Sequence, residues 1–150
     1  MRSWQVAYRG LLSGGYLDAL KPEDRAKRYT FSSHDPRAPY TLVALMEGVI
    51  CGFATTLPAR DADAVGRGEL AGLYVDPDWW DCGVGCVLIA AAREHLTEQG
   101  FQVATLWVLD SNARAQRFYG RDGWTPDGLR RMEKIWDVKV QEVRYSRPLP

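Results

Sequence analysis

The sequence has few of the residues on which several classes of site depend. It holds two histidines and three cysteines in 150 residues, and Cys82 and Cys86 have no second pair at the spacing of a zinc finger. An odd number of cysteines argues against a disulfide framework and favours a reducing compartment. We therefore expect a cytoplasmic protein that binds no metal.

Net charge and long apolar runs are also missing. Nineteen basic and nineteen acidic residues cancel, so no overall field favours nucleic acid or an anionic membrane as a partner. No apolar run reaches the roughly 18 residues that a membrane-spanning helix needs, and residues 1–4 do not open a signal peptide. The composition is that of a cytosolic enzyme or small-ligand binder, and we expect residues 1–150 to form one domain.

Helical and strand-like patterns alternate along the chain. Apolar spacing predicts helices over 4–12, over 16–31 with an interruption at Pro22, from residue 84 up to Gly100, and over 112–121. Strands are predicted at 41–46, 49–57, 69–75, 101–109, 129–135 and 138–145, the first two forming a hairpin at Glu47-Gly48. This order predicts an α/β or α+β sandwich with a mixed sheet.

A Gly-x-Gly sequence, Gly83 and Gly85, leads from the third strand into the next helix. The unpaired N–H groups at a helix start, together with its positive dipole end, attract a phosphate. Two familiar nucleotide motifs do not fit: no Gly-Lys pair exists for a P-loop, and Leu88 stands where a dinucleotide fingerprint needs its third glycine. A tight strand-to-helix turn would also explain the two glycines.

A second motif, LDSNARAQRFYGRDGW at 109–124, follows the central strand. Together with LYVDPDWWDCGVGCVL at 73–88, it resembles the Gcn5-related N-acetyltransferase (GNAT) superfamily, whose pattern is Val-x-Pro, then Arg/Gln-x-x-Gly-x-Gly/Ala, then Asn-Ala…Phe-Tyr…Gly-Phe. AYRGLL near the start and VRYSRPL at the end are similar to the same superfamily, so the resemblance covers nearly the whole chain. It implies a mixed, mostly antiparallel sheet of about six strands flanked by helices, with a V-shaped splay between two central strands.

The resemblance implies an N-acetyltransferase whose co-substrate is acetyl-CoA and whose acceptor is a primary amine of a small molecule or peptide that attacks directly. The CoA pyrophosphate would bind backbone N–H groups at Cys82, Gly83, Val84, Gly85 and Cys86. The pantetheine arm would bond to the backbone of the preceding strand, at Leu73, Tyr74 and Val75, where that strand splays from 106–109. Asn112 and Tyr119 would contact the cofactor from the second motif.

Catalytic roles follow from the same resemblance. Tyr119 matches the tyrosine that protonates the departing thiolate, and a phenol of pKa about 10 is a reasonable acid for a thiolate whose conjugate acid lies near 8.5–10. Glu69 matches a position where many relatives carry the base, although an exposed strand-end carboxylate is an equal alternative. Asp110 is a second candidate base, ranked lower because its context is that of a helix cap.

The glycine loop departs from the family pattern. Trp80 stands in place of Arg or Gln, and Asp81 in place of glycine, so the loop lacks a side-chain donor and gains an acid that either weakens pyrophosphate binding or caps the helix. These departures leave open a degenerate, non-catalytic acyl-CoA-binding or interaction module. A thiol mechanism at Cys86 is disfavoured because His95 would lie about 13.5 Å further along the helix and on its opposite side, so we expect Cys86 to be a packing residue.

The acceptor site and the assembly are less constrained by the sequence. We expect the loop 58–68 and the region 16–31 to shape the acceptor pocket, since loops set specificity on a shared scaffold. Acids there either attract a basic acceptor or are simply solvated: Asp18, Glu23, Asp24, Asp61 and Asp63. Tryptophans either line the pocket or belong to the core: Trp79, Trp80, Trp107, Trp124 and Trp136. The resemblance begins inside the helix that follows the family's first strand, so strand 41–46 would be an open edge, which predicts a dimer or other homo-oligomer.

Overall fold

The computed structural model describes residues 2–23, 35, 37–135 and 138–150. The helices are α1 (Arg2–Ala7), α2 (Gly14–Asp18), α3 (Val84–Glu98) and α4 (Ala113–Arg121), with a 3₁₀ turn at Pro77–Trp79. The strands are β1 (Tyr40–Met46), β2 (Val49–Pro58), β3 (Gly68–Val75), β4 (Val103–Leu109), β5 (Thr125–Ile135) and β6 (Val138–Pro148). The predicted elements are thus present, except that in the region predicted as a helix over 16–31 the described helix α2 ends at Asp18, and residues 24–31 lie outside the described residues.

The first helix is shorter than the apolar spacing predicts. It ends at Ala7, and Gly10 lies shortly beyond it with a left-handed φ of 85°. Glycine takes that conformation at little cost, so it is the residue that commonly follows a helix end. The remaining residues of the predicted helix instead form the turn that leads into α2.

The described strands form one sheet in the order β1-β2-β3-β4-β6-β5. All neighbouring pairs are antiparallel except β3 with β4, which confirms a mixed, mostly antiparallel sheet. The β1–β2 hairpin closes through Glu47 and Gly48, whose φ angles are 51° and 79°. Two successive positive φ angles are those of a type I′ turn, which matches the twist of paired strands.

The central strands β3 and β4 separate almost as soon as they meet. Their parallel ladder consists of Gly68 opposite Ala104 and Glu69 opposite Thr105. On its other side β3 stays paired with β2 as far as Val75. The gap between β3 and β4 therefore widens toward their C-terminal ends, which confirms the predicted V-shaped splay.

Helices cover both faces of the sheet. Successive strand residues point to opposite faces, and Val108 belongs to the cluster that contains Leu88 of α3, whereas Leu109 belongs to the cluster that contains Trp4 of α1. The α3 and α4 helices thus lie on one face, and α1 and α2 on the other. Within the described ranges, no helix combines the length and the apolar composition that crossing a membrane would require.

Candidate active site

The glycine loop presents the start of α3 without a cap. Gly83 is the N-cap residue, in a left-handed conformation with φ 83°, and no described side chain bonds to the first turn of the helix. Asp81 is exposed and also left-handed, with φ 60°. The alternative that Asp81 caps the helix is therefore wrong, because the cap position falls two residues later on a residue without a side chain.

Gly85 allows α3 to approach α4. A Cβ atom added to Gly85 would lie 3.2 Å from Cε2 of Phe118, tighter than ordinary van der Waals contact. Phe118 is partly buried against the main core. The two glycines of the motif thus serve different needs, a left-handed turn at Gly83 and a close helix approach at Gly85.

The backbone of β3 presents alternate residues to the gap. Asp76 donates its backbone N–H to the carbonyl of Cys51 on the β2 side at 2.8 Å. In an antiparallel ladder such bonding alternates, so the backbone of Tyr74 also faces β2, while that of Leu73 and Val75 faces β4. Of the three strand residues expected to bond to the pantetheine arm, Leu73 and Val75 face the gap, and at Val75 the N–H is the open group because its carbonyl accepts Nε1–H of Trp80 at 2.9 Å.

Tyr119 lies on α4 in aromatic surroundings. Its ring meets Phe118 and Trp124 edge-on, with centroid distances of 5.4 and 6.5 Å. Burial raises the pKa of the Tyr119 phenol above its ordinary value, and the nearby Tyr74 phenol raises it further. Tyr119 is therefore protonated at neutral pH and has a proton to donate.

Tyr74 connects this region to the first helix. Its hydroxyl oxygen accepts a hydrogen bond from Nε1 of Trp4 at 3.1 Å, and its ring lies 5.2 Å from that of Phe53. The sequence predicted that the backbone of Tyr74 would bond to the pantetheine arm in the gap. In the structure that backbone faces β2, and the Tyr74 side chain links β3 to α1. The pattern of aromatic residues gave no signal for this contact, because Trp4 and Tyr74 are far apart in the sequence.

Asn112 begins α4 as its N-cap residue. Its Oδ1 accepts the backbone N–H of Ala115 at 3.1 Å, which fixes the side chain at the start of the second motif. Asp110, the lower-ranked base, pairs with Arg130 at 2.9 Å on the exposed surface. The cap expected from this stretch is thus supplied by Asn112 and not by Asp110.

Glu69 is buried at the vertex of the splay. It is 3% exposed, so the alternative of an exposed strand-end carboxylate is wrong. Its carboxylate accepts three hydrogen bonds from Arg60: from the backbone N–H at 3.2 Å, from Nε at 3.2 Å and from Nη2 at 2.6 Å. A carboxylate has about four acceptor positions, so one remains for a water molecule or an acceptor.

The acids of the 58–68 loop bind a buried arginine. Arg144 is 3% exposed and forms ion pairs with Asp61 at 3.2 Å, Asp63 at 2.6 Å and Asp127 at 2.7 Å. These carboxylates raise the pKa of Arg144, and the hydrogen bond from Arg144 lowers the pKa of Asp63. Asp61 and Asp63 are therefore not free to attract a basic acceptor, since both pair with Arg144 and fasten the loop to β6, although Asp63 is also exposed to solvent.

Two of the tryptophans lie in the core, and a third lies beside the acids of the 58–68 loop. Trp124 is 1% exposed, and Trp79 packs against the same core. Trp107 donates Nε1–H to Asp61 at 2.9 Å, and the guanidinium of Arg131 lies 4.2 Å from its ring. Trp136 is outside the described residues, so its predicted role stays a prediction.

The exposed cysteines do not form a nucleophilic site with a described histidine. Cys82 and Cys86 are both exposed, so the expectation that Cys86 is a packing residue is wrong. His95 stacks on Tyr40 at a centroid distance of 4.0 Å near the far end of α3. His34 is outside the described residues. Among the residues that are described, no group of three or more His, Cys, Asp or Glu side chains is placed to hold a metal ion.

A cleft of about 410 Å³ lies beside the C-terminal end of β4. The turn between α1 and α2 lines one side with Leu11 and Ser13, and β6 contributes Lys139 and Gln141. Asp110, just after β4, lines it as well. The cleft is thus built from the first turn and β6, a combination that the sequence expectation of a pocket shaped by 58–68 did not include.

Comparison with known proteins identifies the family. The sequence model of the Acetyltransferase (GNAT) family matches residues 4–124. The mycothiol acetyltransferase of Propionibacterium freudenreichii is 37% identical over 108 residues, which are 71% of this chain and 34% of that protein. The phosphinothricin N-acetyltransferase of Streptomyces coelicolor is 27% identical over 140 residues, which are 88% of this chain and 78% of that protein.

A solved structure has the same fold. The PaiA N-acetyltransferase of Thermoplasma acidophilum, solved in complex with coenzyme A, superimposes with a TM-score of 0.68 at 19% identity and covers 98% of this chain and 86% of its own. The present chain spans only about a third of the length of the mycothiol acetyltransferases that it matches. Since the family model covers well over half of the chain, the chain belongs to the acetyltransferase (GNAT) family.

Proposed function

We propose that this protein transfers an acetyl group from acetyl-CoA to a primary amine of a small molecule or peptide. The observation that carries the proposal is the splay: β3 and β4 pair at only two positions, and the backbone of Leu73 and Val75 opens into the gap between them. The uncapped start of α3 follows directly after the end of β3. An extended thioester with an anionic end fits a slot of this kind.

Acetyl-CoA would bind chiefly to backbone groups. The pyrophosphate would accept N–H bonds from the glycine loop and the first turn of α3, at Cys82, Gly83, Val84, Gly85 and Cys86. The pantetheine amides would bond to Leu73 and Val75, as an added strand does. Asn112 would contact the cofactor from the start of α4.

The acceptor amine would attack the thioester directly. The ammonium form first loses a proton to Glu69, through a water at its remaining acceptor position, and the neutral nitrogen then attacks the carbonyl carbon. The carbon–sulfur bond breaks, and Tyr119 gives its proton to the departing thiolate. As the amide forms, the nitrogen loses its second proton to water, Glu69 releases the first to solvent, and Tyr119 recovers a proton from solvent; the products are an amide and coenzyme A.

The acceptor would enter through the cleft between the α1–α2 turn and β6, with its amine extending from the cleft toward Glu69. The cleft volume of about 410 Å³ falls within the range of about 300–1,000 Å³ that is usual for small-molecule sites. Relatives named for acetylation of mycothiol or of phosphinothricin support a small-molecule amine as the acceptor class. Lys139 at the cleft wall would contact the acceptor, whereas Asp110 pairs with Arg130 and the acids of the 58–68 loop pair with Arg144.

A thermal melt with and without acetyl-CoA tests cofactor binding, followed by thiol release from acetyl-CoA with a panel of small amines and peptides. Ligand at 100 times its dissociation constant adds about 2.7 kcal/mol, which for a domain of this size raises Tm by about 5–10 °C. We expect that shift and turnover with at least one amine. Binding without turnover on any amine would favour the non-catalytic module, and no shift at millimolar acetyl-CoA would overturn the proposal.

We further propose that the protein works in the cytoplasm as a single-domain homo-oligomer. The three cysteines are free and two of them are exposed, which suits a reducing compartment. β1 is the outermost strand of the described sheet, and its hairpin exposes Val43, Leu45 and Ile50. Light scattering at high concentration should report a dimer that Val43→Lys disrupts, and a wild-type monomer would contradict the assembly.

A further inference from the structure

Trp80, which occupies the usual Arg/Gln position of the glycine loop, is fixed by two contacts. Its indole Nε1–H donates to the backbone oxygen of Val75 at 2.9 Å. The guanidinium carbon of Arg114, in the first turn of α4, lies 3.5 Å from the centroid of its ring. The stack joins the loop to the end of β3 and the start of α4, the elements that meet at the wide end of the splay.

Arg114 differs from most of the described arginines in forming no ion pair with a described acid. Eight described arginines form ion pairs with Asp or Glu: Arg2, Arg9, Arg60, Arg93, Arg130, Arg131, Arg144 and Arg147. Over the described ranges Arg114 forms no ion pair with a carboxylate, and its guanidinium lies over the Trp80 ring. No described carboxylate therefore neutralises the guanidinium charge at this point.

The location of Arg114 is also unfavourable for the helix that carries it. A cation in the first turn faces the positive end of the helix dipole, where an acid would be stabilising. Neither an ion pair nor the helix explains why an arginine is held there. An anion bound next to the loop would explain it.

The stacked geometry leaves Arg114 able to bind such an anion. A guanidinium over an aromatic ring uses the face of its plane, whereas the N–H donors that bind phosphate lie in the plane and point outward. Trp80 thus holds the cation in a fixed orientation without occupying its donors. Asp81, the exposed acid of the same loop, would be offset by this charge.

We infer that Arg114, held against Trp80, is the cation that binds the diphosphate of coenzyme A, in place of the side-chain donor that the loop lacks at residue 80. The inference rests on the proposed function, because it requires acetyl-CoA to enter the splay. The cation that binds the diphosphate would then be on α4 instead of at residue 80 of the glycine loop. The Trp80 ring would hold it beside the loop.

The test is the dissociation constant of CoA, measured by calorimetry for wild type, Arg114→Gln and Arg121→Gln. Arg121 is the matched control, an exposed arginine about 10.5 Å further along α4 that also lacks a described carboxylate partner. We expect Arg114→Gln to raise Kd about tenfold, the effect of one charge-assisted bond, and Arg121→Gln to change it less than about twofold. Both variants alter exposed side chains, and their Tm values check that the fold is unchanged.

Two further ligands identify the group that Arg114 contacts. 3′-Dephospho-CoA keeps the diphosphate, so the same tenfold penalty is expected with it. S-acetylpantetheine has no phosphate, so kcat/KM with it should be equal for wild type and Arg114→Gln. A penalty that disappears with 3′-dephospho-CoA would place the cation at the 3′-phosphate and overturn the assignment.

The outcomes also separate this inference from the proposed function. A wild-type protein that binds no CoA would overturn the function on which the inference depends. A wild-type protein that binds CoA, with Arg114→Gln binding it equally well, would overturn the role of Arg114 alone. Equal losses at Arg114 and Arg121 would indicate a diffuse basic helix face instead of one fixed cation, and would also reject the assignment.

Discussion

The face under α3 and α4 and the part of the other face that lies beside the 58–68 loop, called the charged face below, are held by different forces. The face under α3 and α4 is apolar, with Leu88, Ile89 and Leu106 almost fully buried. On the other face, beside the 58–68 loop, Arg144 binds three carboxylates, and Arg131 pairs with Glu142 at 2.7 Å. Apolar burial depends little on pH or salt, whereas ion pairs depend on both.

Each face carries one of the two proposed catalytic residues. Tyr119 packs with the apolar cluster, where burial favours the neutral phenol. Glu69 precedes the apolar-face residue Leu70 and so points to the charged face, where Arg60 holds its carboxylate. Tyr119, the proposed acid, thus lies where burial keeps its phenol protonated. The Glu69 carboxylate lies beside the guanidinium of Arg60, which balances its charge.

The largest effect should follow from removing the cation of the charged face. Arg144→Met leaves Asp61 and Asp127 partly buried without their partner, and we expect it to lower the free energy of unfolding by about 3–5 kcal/mol, measured by urea denaturation. Arg130→Met, which breaks an exposed ion pair with Asp110, is the control and should cost no more than about 1 kcal/mol. Similar losses for the two variants would mean that the charged face contributes no more than an ordinary surface.

Tyr119→Phe tests the apolar face without disturbing its packing. Loss of the proton donor should lower kcat by roughly 100–1,000-fold while the Kd of acetyl-CoA stays nearly unchanged. Tyr145→Phe is the matched control, since its hydroxyl bonds to Gln116 at 3.3 Å and has no proposed part in the chemistry. Turnover at the wild-type level in Tyr119→Phe would remove this residue from the mechanism.

Glu69→Gln tests the proposed general base, which lies on the charged face. The amide keeps the shape of the side chain and cannot accept a proton, so kcat/KM should fall about 100-fold. The dependence of the rate on the ionisation of the base should also disappear from the pH profile. Glu98→Gln, at the end of α3, serves as the control. An unchanged pH profile in Glu69→Gln would move the base elsewhere, with Asp110 as the next residue to test.

The smallest effect is a difference in acid sensitivity between the faces. Hydrogen bonding to Arg144 depresses the pKa of Asp63 in the folded state, so the folded protein binds this proton less readily than the unfolded chain does. The contribution to stability is present above the unfolded pKa of about 3.9 and is lost as the pH falls through the lower folded value. Tm measured from pH 6 to pH 3 should therefore fall less in Asp63→Asn than in wild type, and parallel curves would contradict this.

Local features of the fold could be predicted because short stretches of sequence determine them. The Glu47-Gly48 turn and the start of α3 at Val84 follow from residues adjacent in the chain. The splay followed from the resemblance of two motifs, and the ladder between β3 and β4 bears it out. Each of these depends on backbone preferences or on a family pattern, and not on which distant side chains meet.

The partners of charged residues could not be predicted in the same way. Asp63 and Arg144 are 81 residues apart in the sequence, and nothing near either one indicates the other. The sequence left an exposed strand end open as an alternative for Glu69, because the chain alone does not reveal that Arg60 folds back over it. The pairing of Trp80 with Arg114 likewise joins two motifs that local reasoning treats separately.

Because the ladder between β3 and β4 is short, the sheet has a weak line between these two strands, here called the seam. Three strands lie on each side of it, β1-β2-β3 and β4-β6-β5, and two residue pairs connect the halves directly. A pantetheine arm bonded to Leu73 and Val75 would extend the connection along the open part of the seam. The substrate would then act as a piece of the sheet, so the stiffness of the whole molecule would rise and fall with each catalytic cycle.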